Sequence, residues 1–204
     1  MKDLNNLNDL HFDILKEIAS IGSGNAVTSL AKMMGKKVEM VVPVVSMVEF
    51  KDITHFIGGP DNIVAGVLVS ISGDINGIMM FLMTMESACD LISAVTGGMG
   101  VVDGVIDELG RSAFTEMGNI LISAYIGSLG GLTKTRVIPS IPHISIDMAN
   151  AILSVPAIEF GKVADKALFI ESSFSVDNQN TSGFFIMVPD MPSFSKIMQT
   201  LGVE

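Results

Sequence analysis

The chain is short of cysteine, of aromatic residues and of positive charge. Its 204 residues include one cysteine, no tryptophan, one tyrosine, and 12 lysines and arginines against 22 aspartates and glutamates. A net charge of −10 argues against nucleic acid or an anionic membrane surface as a partner, because both attract basic proteins. The single cysteine, Cys89, rules out an intramolecular disulfide and indicates a reducing compartment. We expect Cys89 to be a small core residue.

Long hydrophobic runs are also missing. No apolar stretch reaches the ~18 residues that a membrane-spanning helix needs, and the most hydrophobic run, GIMMFLM, has the length of a strand. The first twelve residues contain no apolar core of a secretory signal. With 49% hydrophobic residues, the sequence predicts a cytoplasmic, globular protein with a large core and no membrane insertion.

The sequence spacings that are typical of metal and nucleotide sites are absent as well. The three histidines are scattered without metal-ligand spacing, so we expect no metal or cofactor on this chain. The segment GSGNAV lacks the lysine of a phosphate-binding loop, and we interpret it as a bend in a helix.

Hydrophobic periodicity predicts alternating helices and strands. The predicted elements are a helix or helix pair over 11–34, β-structure over 37–50, a hairpin over 63–84, a helix over Met85–Val95, a connector over 99–109, a helix over Gly110–Leu129 stopped by Gly130 and Gly131, β-structure over 135–146, a short helix over 147–154 capped by Asp147, strands over 155–163 and 167–176, a last strand FFIMV, and a helix over Pro192–Leu201.

Part of this pattern occurs twice, at an interval of 99 residues (116 − 17). The interval relates Glu17 to Glu116, and Pro43 to Pro142. It predicts an α+β fold in which two pseudo-symmetric α-β-β-β-α halves share an antiparallel sheet, with two long helices carrying the sites. We expect one domain over 1–204, built from repeats at about 11–98 and 110–202, and a monomer.

Each long helix carries a line of polar residues along one face. The second stripe consists of Ser112, Glu116 and Asn119, and the first stripe consists of Asp13, Glu17 and Ser20. Positions i, i+4 and i+7 of a helix share a face, so each stripe points away from the apolar face of its helix. The stripes are either solvated helix faces or two matched docking surfaces, and their repetition favours docking.

A glutamate and an asparagine make a poor self-contained hydrolase, because the stripe lacks a second carboxylate, a histidine and a thiol. The same pair can complete the active site of a partner. The carboxylate can pair with a partner's lysine, and the amide can hold a water in line with a phosphoryl group.

At these residues the sequence resembles the CheC/CheX/FliY family of chemotaxis phosphatases. The family motif is Asp or Ser, three residues, Glu, two residues, Asn, twenty-two residues and Pro. The second stripe with Pro142 matches it fully, and the first stripe with Pro43 matches except at Ser20. The resemblance covers essentially the whole chain, including SISGDINGIMMFLM and the ending FFIMVPDMPSFSKIMQTLGV.

The resemblance implies hydrolysis of the aspartyl phosphate on CheY, the chemotaxis response regulator. Glu116 would engage the regulator's lysine, Asn119 would orient the attacking water, and the Mg²⁺ would belong to the regulator. At Ser20 a hydroxyl reaches less far than an amide, so the first site, with Glu17, is predicted to be weak or inactive.

The resemblance also implies a second partner, the receptor deamidase CheD. The segment SIDMANAILS resembles the docking region, which makes Asp147 a candidate contact; the alternative is that Asp147 caps a helix. A non-catalytic adaptor that binds CheD or the phosphorylated regulator therefore remains an alternative to the phosphatase.

Overall fold

The fold is a mixed layer structure with helices on both faces of one sheet. A computed structural model describes residues 9–40, 44–160, 166–176, 179–200 and 202. The helices are α1 (Asp9–Met34), α2 (Phe50–Phe56), α3 (Met85–Thr96), α4 (Glu108–Thr133), α5 (Ala149–Phe160) and α6 (Met191–Thr200). The strands are β1 (Val38–Met40), β2 (Val44–Glu49), β3 (Ile63–Gly73), β4 (Gly77–Thr84), β5 (Val101–Val102), β6 (Val105–Ile106), β7 (Val137–Pro139), β8 (His143–Met148), β9 (Lys166–Val176) and β10 (Gln179–Pro189).

Both halves of the chain build the main sheet. Its antiparallel order is β1-β9-β10-β4-β3-β7, and β2 also pairs with β9 while β8 also pairs with β3. If each strand is replaced by its counterpart in the other half, the same order results, written from the opposite edge of the sheet. The α+β class with a shared antiparallel sheet is therefore confirmed. The assembly of the domain from two repeats stays a prediction.

The two faces of the sheet carry separate apolar cores. Helices α1, α3, α4 and α6 cover one face, around fully buried rings such as Phe81, Phe114 and Phe185. Helices α2 and α5 cover the other face, where Ile53 and Leu153 pack against the sheet. No helix within the described part of the chain is long and apolar enough to cross a membrane.

The order within each half corrects the prediction. The described elements run α-β-β-α-β-β-α in each half, with α2 and α5 added and the first strand divided into two. Helix α2 was not predicted, because its seven residues are too few to show a clear helical periodicity. The predicted connector over 99–109 contains a small hairpin, β5 and β6, whose strands have two residues each.

The glycines at 22 and 24 do not divide the first helix, because α1 is one helix of 26 residues. Of the two predicted alternatives, one helix rather than a pair is confirmed, and Gly22 has a steric role in it. A Cβ on Gly22 would lie 2.7 Å from Cδ1 of Tyr125 in α4, so this glycine makes room for a ring of the neighbouring helix. A Cβ on Gly24 would meet nothing within 4 Å.

The second long helix also runs further than predicted. It passes Gly130 and Gly131 and ends at Lys134, which takes the left-handed conformation (φ 51°, ψ 36°) and donates its N–H to the Gly130 carbonyl. A Cβ on Gly130 would lie 3.0 Å from the Thr135 carbonyl oxygen. Gly130 therefore accommodates the returning chain and does not stop the helix.

The region around Asp147 differs most from the prediction. Asp147 lies in β8, and the helix after it is α5, which extends to Phe160 with Pro156 inside it. The predicted cap at Asp147 and the predicted strand from 155 are wrong, although 161–163 lie outside the described residues. Burial of Ile152 and Leu153 against the sheet favours a helix despite the β-branched sequence.

We predict opposite effects for alanine at the two glycines of α1. Gly22→Ala should lower the free energy of unfolding by about 1–3 kcal/mol, because the new methyl group overlaps the Tyr125 ring. Gly24→Ala, the matched control, should raise it by about 0.5–1 kcal/mol through helix propensity alone. Urea unfolding followed by circular dichroism measures both values. A Gly22→Ala protein as stable as the parent would contradict this packing.

Candidate functional site

The two polar stripes lie on the outer faces of α1 and α4, at matched levels of exposure. Glu17 and Glu116 are exposed, and Ser20 and Asn119 are half-buried. Asp13 and Ser112, at the head of each stripe, are both exposed. The structure thus places each stripe where a partner protein can reach it, with the carboxylate outermost and the hydroxyl or amide closer to the helix.

The inner face of α4 fixes the height of the second stripe above the sheet. Met117 is fully buried. A Cβ on Gly118 would lie 2.6 Å from the Val67 side chain of β3, so the helix backbone lies close to the sheet at this residue. Asn119 follows directly, and its backbone is therefore held by a rigid contact. Glycine suits this close approach because any side chain would push the helix outward.

The beginning of α4 is capped, which keeps its first turns in place. The Asp107 carboxylate accepts a hydrogen bond of 2.9 Å from the Gly110 N–H, as an N-cap residue does. The Ser112 hydroxyl donates to the Glu108 carbonyl at 3.0 Å and is thus tied to its own helix. The Ser112 hydroxyl therefore contributes to the start of α4, and its proton is already used within the helix.

The two residues with predicted chemical roles are free to engage a partner. Among the described residues, no side chain forms a hydrogen bond or ion pair with Glu116 or Asn119. In the first stripe, Asp13 lies 3.9 Å from Lys16 in an exposed pair, which contributes little to stability. The carboxylate and amide of the second stripe therefore need no internal contact to be broken before docking.

The remaining predicted site residues lie apart from the stripes. Pro142 is half-buried between β7 and β8, and Pro43 lies outside the described residues. Asp147 is exposed on β8, and its carboxylate accepts a hydrogen bond of 2.7 Å from the Met148 N–H. The first N–H groups of α5 bond to the chain near 60, with Ala149 donating to the Asn62 carbonyl at 2.8 Å. The structure therefore does not bring Asp147 to either stripe.

The described residues offer no obvious alternative chemistry. No group of three or more histidine, cysteine, aspartate or glutamate side chains within them could hold a metal ion. Cys89 is half-buried, and burial, followed by the neighbouring Asp90 carboxylate, raises the pKa of its thiol. A raised pKa disfavours the thiolate that a nucleophilic cysteine needs.

A buried chain of hydroxyls beneath the stripes was not predicted from the sequence. Tyr125 of α4 lies 2.8 Å from the Ser23 hydroxyl of α1 and 3.2 Å from the Ser172 hydroxyl of β9. Burial raises the pKa of the Tyr125 phenol, and the hydrogen bonds with Ser172 and Ser23 offset part of that rise. The one feature of the sequence that could have indicated this chain is its single tyrosine, but the residues next to Tyr125 do not reveal its partners.

A relative among known proteins matches the chain over its full length. A CheY-P phosphatase CheC from Bacillus subtilis (strain 168) is 32% identical over 208 residues, which cover 100% of both chains. The model of the CheC-like family matches residues 10–47, which contain the first stripe.

Several solved structures share the fold at low sequence identity, including those of a FliY and of a FliM middle domain. Thermotoga maritima FliY superposes with a TM-score of 0.76 at 19% identity, covering 96% of this chain and 98% of that one. The FliM middle domain from H. pylori superposes with a TM-score of 0.68 at 10% identity, covering 95% and 99%. At these identities the two structures show the fold alone.

We predict that Tyr125 ionises at higher pH in the folded protein than in urea, where a tyrosine has a pKa of about 10. Because folding raises this pKa, the stability that Tyr125 contributes should be complete below pH ~10 and lost as the pH rises through the folded value. Tyrosinate absorbance reports this residue alone, since the chain has one tyrosine and no tryptophan. Equal titration midpoints with and without urea would refute the prediction.

Proposed function

This chain belongs to the CheC-like family, and from that premise we propose that it hydrolyses the aspartyl phosphate of a CheY-type response regulator. The observation that carries the proposal is the full-length relative, named CheY-P phosphatase CheC, together with the exposed second stripe. Glu116 and Asn119 stand one turn apart on α4, and neither side chain forms a hydrogen bond or ion pair with another described residue.

In the proposed reaction, Glu116 docks and Asn119 positions water. The Glu116 carboxylate pairs with a lysine beside the regulator's phosphoryl group. The Asn119 amide enters the regulator's active site and holds a water in line with the phosphorus. The water oxygen bonds to phosphorus as the bond to the aspartyl oxygen breaks, which releases phosphate and the free carboxylate. We place the Mg²⁺ on the regulator, where it neutralises charge on the phosphoryl oxygens.

A rigid helix suits this role, because the chain supplies orientation and no covalent intermediate. Orienting groups lose efficiency steeply with distance, and a misplacement of ~1 Å can cost about 10²-fold in rate. The contact of Gly118 with Val67 holds the backbone beside Asn119, so a flexible arm is not required.

The first stripe has the same docking geometry with a shorter catalytic side chain. Glu17 is exposed as Glu116 is, and we propose that it also engages a regulator's lysine. Ser20 is half-buried like Asn119, but its hydroxyl ends one heavy-atom bond closer to the helix. We therefore assign weak or absent phosphatase activity to the first site.

A second candidate function is binding of CheD, and the position of Asp147 favours it. Its carboxylate is exposed on β8 and does not cap α5, so the structural role that competed with docking is removed. The nearby Met148 side chain is 43% exposed and extends this surface. The chain would then act as a non-catalytic adaptor in the adaptation step of chemotaxis. Binding of phosphorylated CheY without faster phosphate loss, with or without CheD, would favour the adaptor over the phosphatase.

The remaining proposals concern the setting of this activity. We propose a cytoplasmic location and a monomeric state. The net charge of −10 gives nucleic acid no basic surface to bind.

Asn119→Ala should lower stimulated dephosphorylation by about 10²-fold or more, because the attacking water loses its orienting amide. The assay follows phosphate loss from phosphorylated CheY with Mg²⁺. Ser20→Ala, the change at the equivalent position of α1, is the matched control and should leave the rate nearly unchanged. An Asn119→Ala protein with full activity would refute the assignment.

Ser20→Asn should create activity at the first site. In the Asn119→Ala background this substitution should restore measurable dephosphorylation, since α1 then carries both Glu17 and an amide of the right length. Ser20→Asp has the same shape without the amide N–H and should restore none, because a second negative charge repels the phosphoryl group. No recovery with Ser20→Asn would show that the first site lacks more than an amide.

A further inference from the structure

The hydroxyl chain at Tyr125 has a fixed direction of donation. The Ser23 hydroxyl donates to the Ala19 carbonyl at 2.8 Å, so its single proton is used. Tyr125 must then donate to Ser23 at 2.8 Å, and Ser172 must donate to Tyr125 at 3.2 Å. The chain therefore runs from β9 through α4 to α1 with every proton assigned, and it joins the two stripe-bearing helices to the sheet.

The ring of Tyr125 is held as firmly as its hydroxyl. Its centroid lies 4.3 Å from that of Phe185 in β10, and the backbone of Gly22 in α1 packs closely against the ring. The side chain is 3% exposed. Tyr125 cannot shift without moving one of three elements, so it acts as a fixed point of α4.

This tie is present once, although the helices are related by 99 residues. The counterparts of Ser23 and Tyr125 are Ile122 and Ala26, which carry no hydroxyl. Packing of the two helices does not by itself require hydroxyl groups, because apolar side chains occupy the pseudo-symmetric positions 122 and 26. Its tyrosine lies on α4, the helix that carries Asn119, and its serine acceptor lies on α1.

Asn119 lies between two fixed points of α4. Gly118, on one side, rests on Val67 of β3. Tyr125, on the other side, is tied to β9 and lies six residues from Asn119, or about 9 Å along the axis. Two attachments on one helix prevent it from sliding along or rolling on the sheet, and those are the movements that would displace the Asn119 amide.

We infer that Tyr125 is a positioning residue for the phosphatase reaction, because its hydroxyl ties α4 to α1 and β9 and so fixes the place of the Asn119 amide. This inference rests on the proposed function. Tyr125 touches neither substrate nor water, and it acts only through the register of α4.

The test compares Tyr125→Phe with the double variant Tyr125→Phe/Ser172→Ala. The single variant keeps the ring, removes the tie and leaves the Ser172 hydroxyl buried without a partner, so we expect lower stability and a kcat at least ~10-fold lower. KM for phosphorylated CheY should stay within about twofold, because docking through Glu116 is unchanged. The double variant also removes the stranded hydroxyl, so stability should recover while kcat stays low.

Two controls separate this inference from the proposed function. Thr28→Ala removes an exposed hydroxyl of α1 that donates to the Gly24 carbonyl of the same helix, and it should change neither kcat nor KM. Asn119→Ala is measured in the same assay. If Asn119→Ala is inactive and Tyr125→Phe has the parent kcat, the positioning role is refuted while the phosphatase stands. If Asn119→Ala is fully active, the role of its amide is refuted and the positioning role with it. If the parent protein does not speed phosphate loss at all, the proposed function itself fails.

Recovery of kcat together with stability in the double variant would also overturn the inference, because it would show a structural role alone. Should Tyr125→Phe fail to fold, Ser23→Ala replaces it. That variant removes the acceptor of the Tyr125 proton and keeps the ring, and the same fall in kcat at constant KM is expected. A parent kcat in folded Ser23→Ala would refute the positioning role.

Discussion

Two close approaches between layers determine where the polar stripes stand. At Gly22 the ring of Tyr125 reaches the backbone of α1, and at Gly118 the backbone of α4 reaches Val67 of β3. Neither contact tolerates a Cβ, so the spacing of α1, α4 and the sheet is set by the smallest residue. The positions of the outer faces of these helices follow from that spacing. The placement of Glu116 at the surface therefore depends on sterics in the interior.

The sheet makes this arrangement cooperative, because neither half completes its own part. Strands β1 and β2 of the first half pair with β9 of the second, and β7 and β8 pair with β3. The central pair, β4 and β10, joins the halves along six residues of each strand. Movement of one long helix is thus resisted by strands from both ends of the chain. Such a scaffold suits a protein whose contribution to catalysis is the orientation of one amide.

The buried polar groups stabilise the scaffold, and the exposed polar groups of α4 are available for a partner. Inside the described part of the chain every buried side-chain nitrogen and oxygen has a hydrogen-bond partner. On the outer face of α4, by contrast, Glu116 and Asn119 have none among the described residues. Satisfied interior groups rigidify the helix, and unsatisfied surface groups are available to another protein. The proposed activity uses both properties, since docking needs free groups and water orientation needs a fixed backbone.

The sequence by itself determined the features that follow from residue patterns within one short stretch of chain. These are the long helices, the polar stripes on their faces, the hairpin over 63–84 and the motif that includes Glu116 and Asn119. Only the tertiary structure decided the helix around Pro156, the position of Asp147 on a strand, and the partners of Tyr125. The reason is distance along the chain. Tyr125 meets hydroxyls 102 and 47 residues away, and burial against the second face of the sheet outweighs the local preference of α5. Such contacts leave no periodicity in the sequence, because they exist only once the layers have packed.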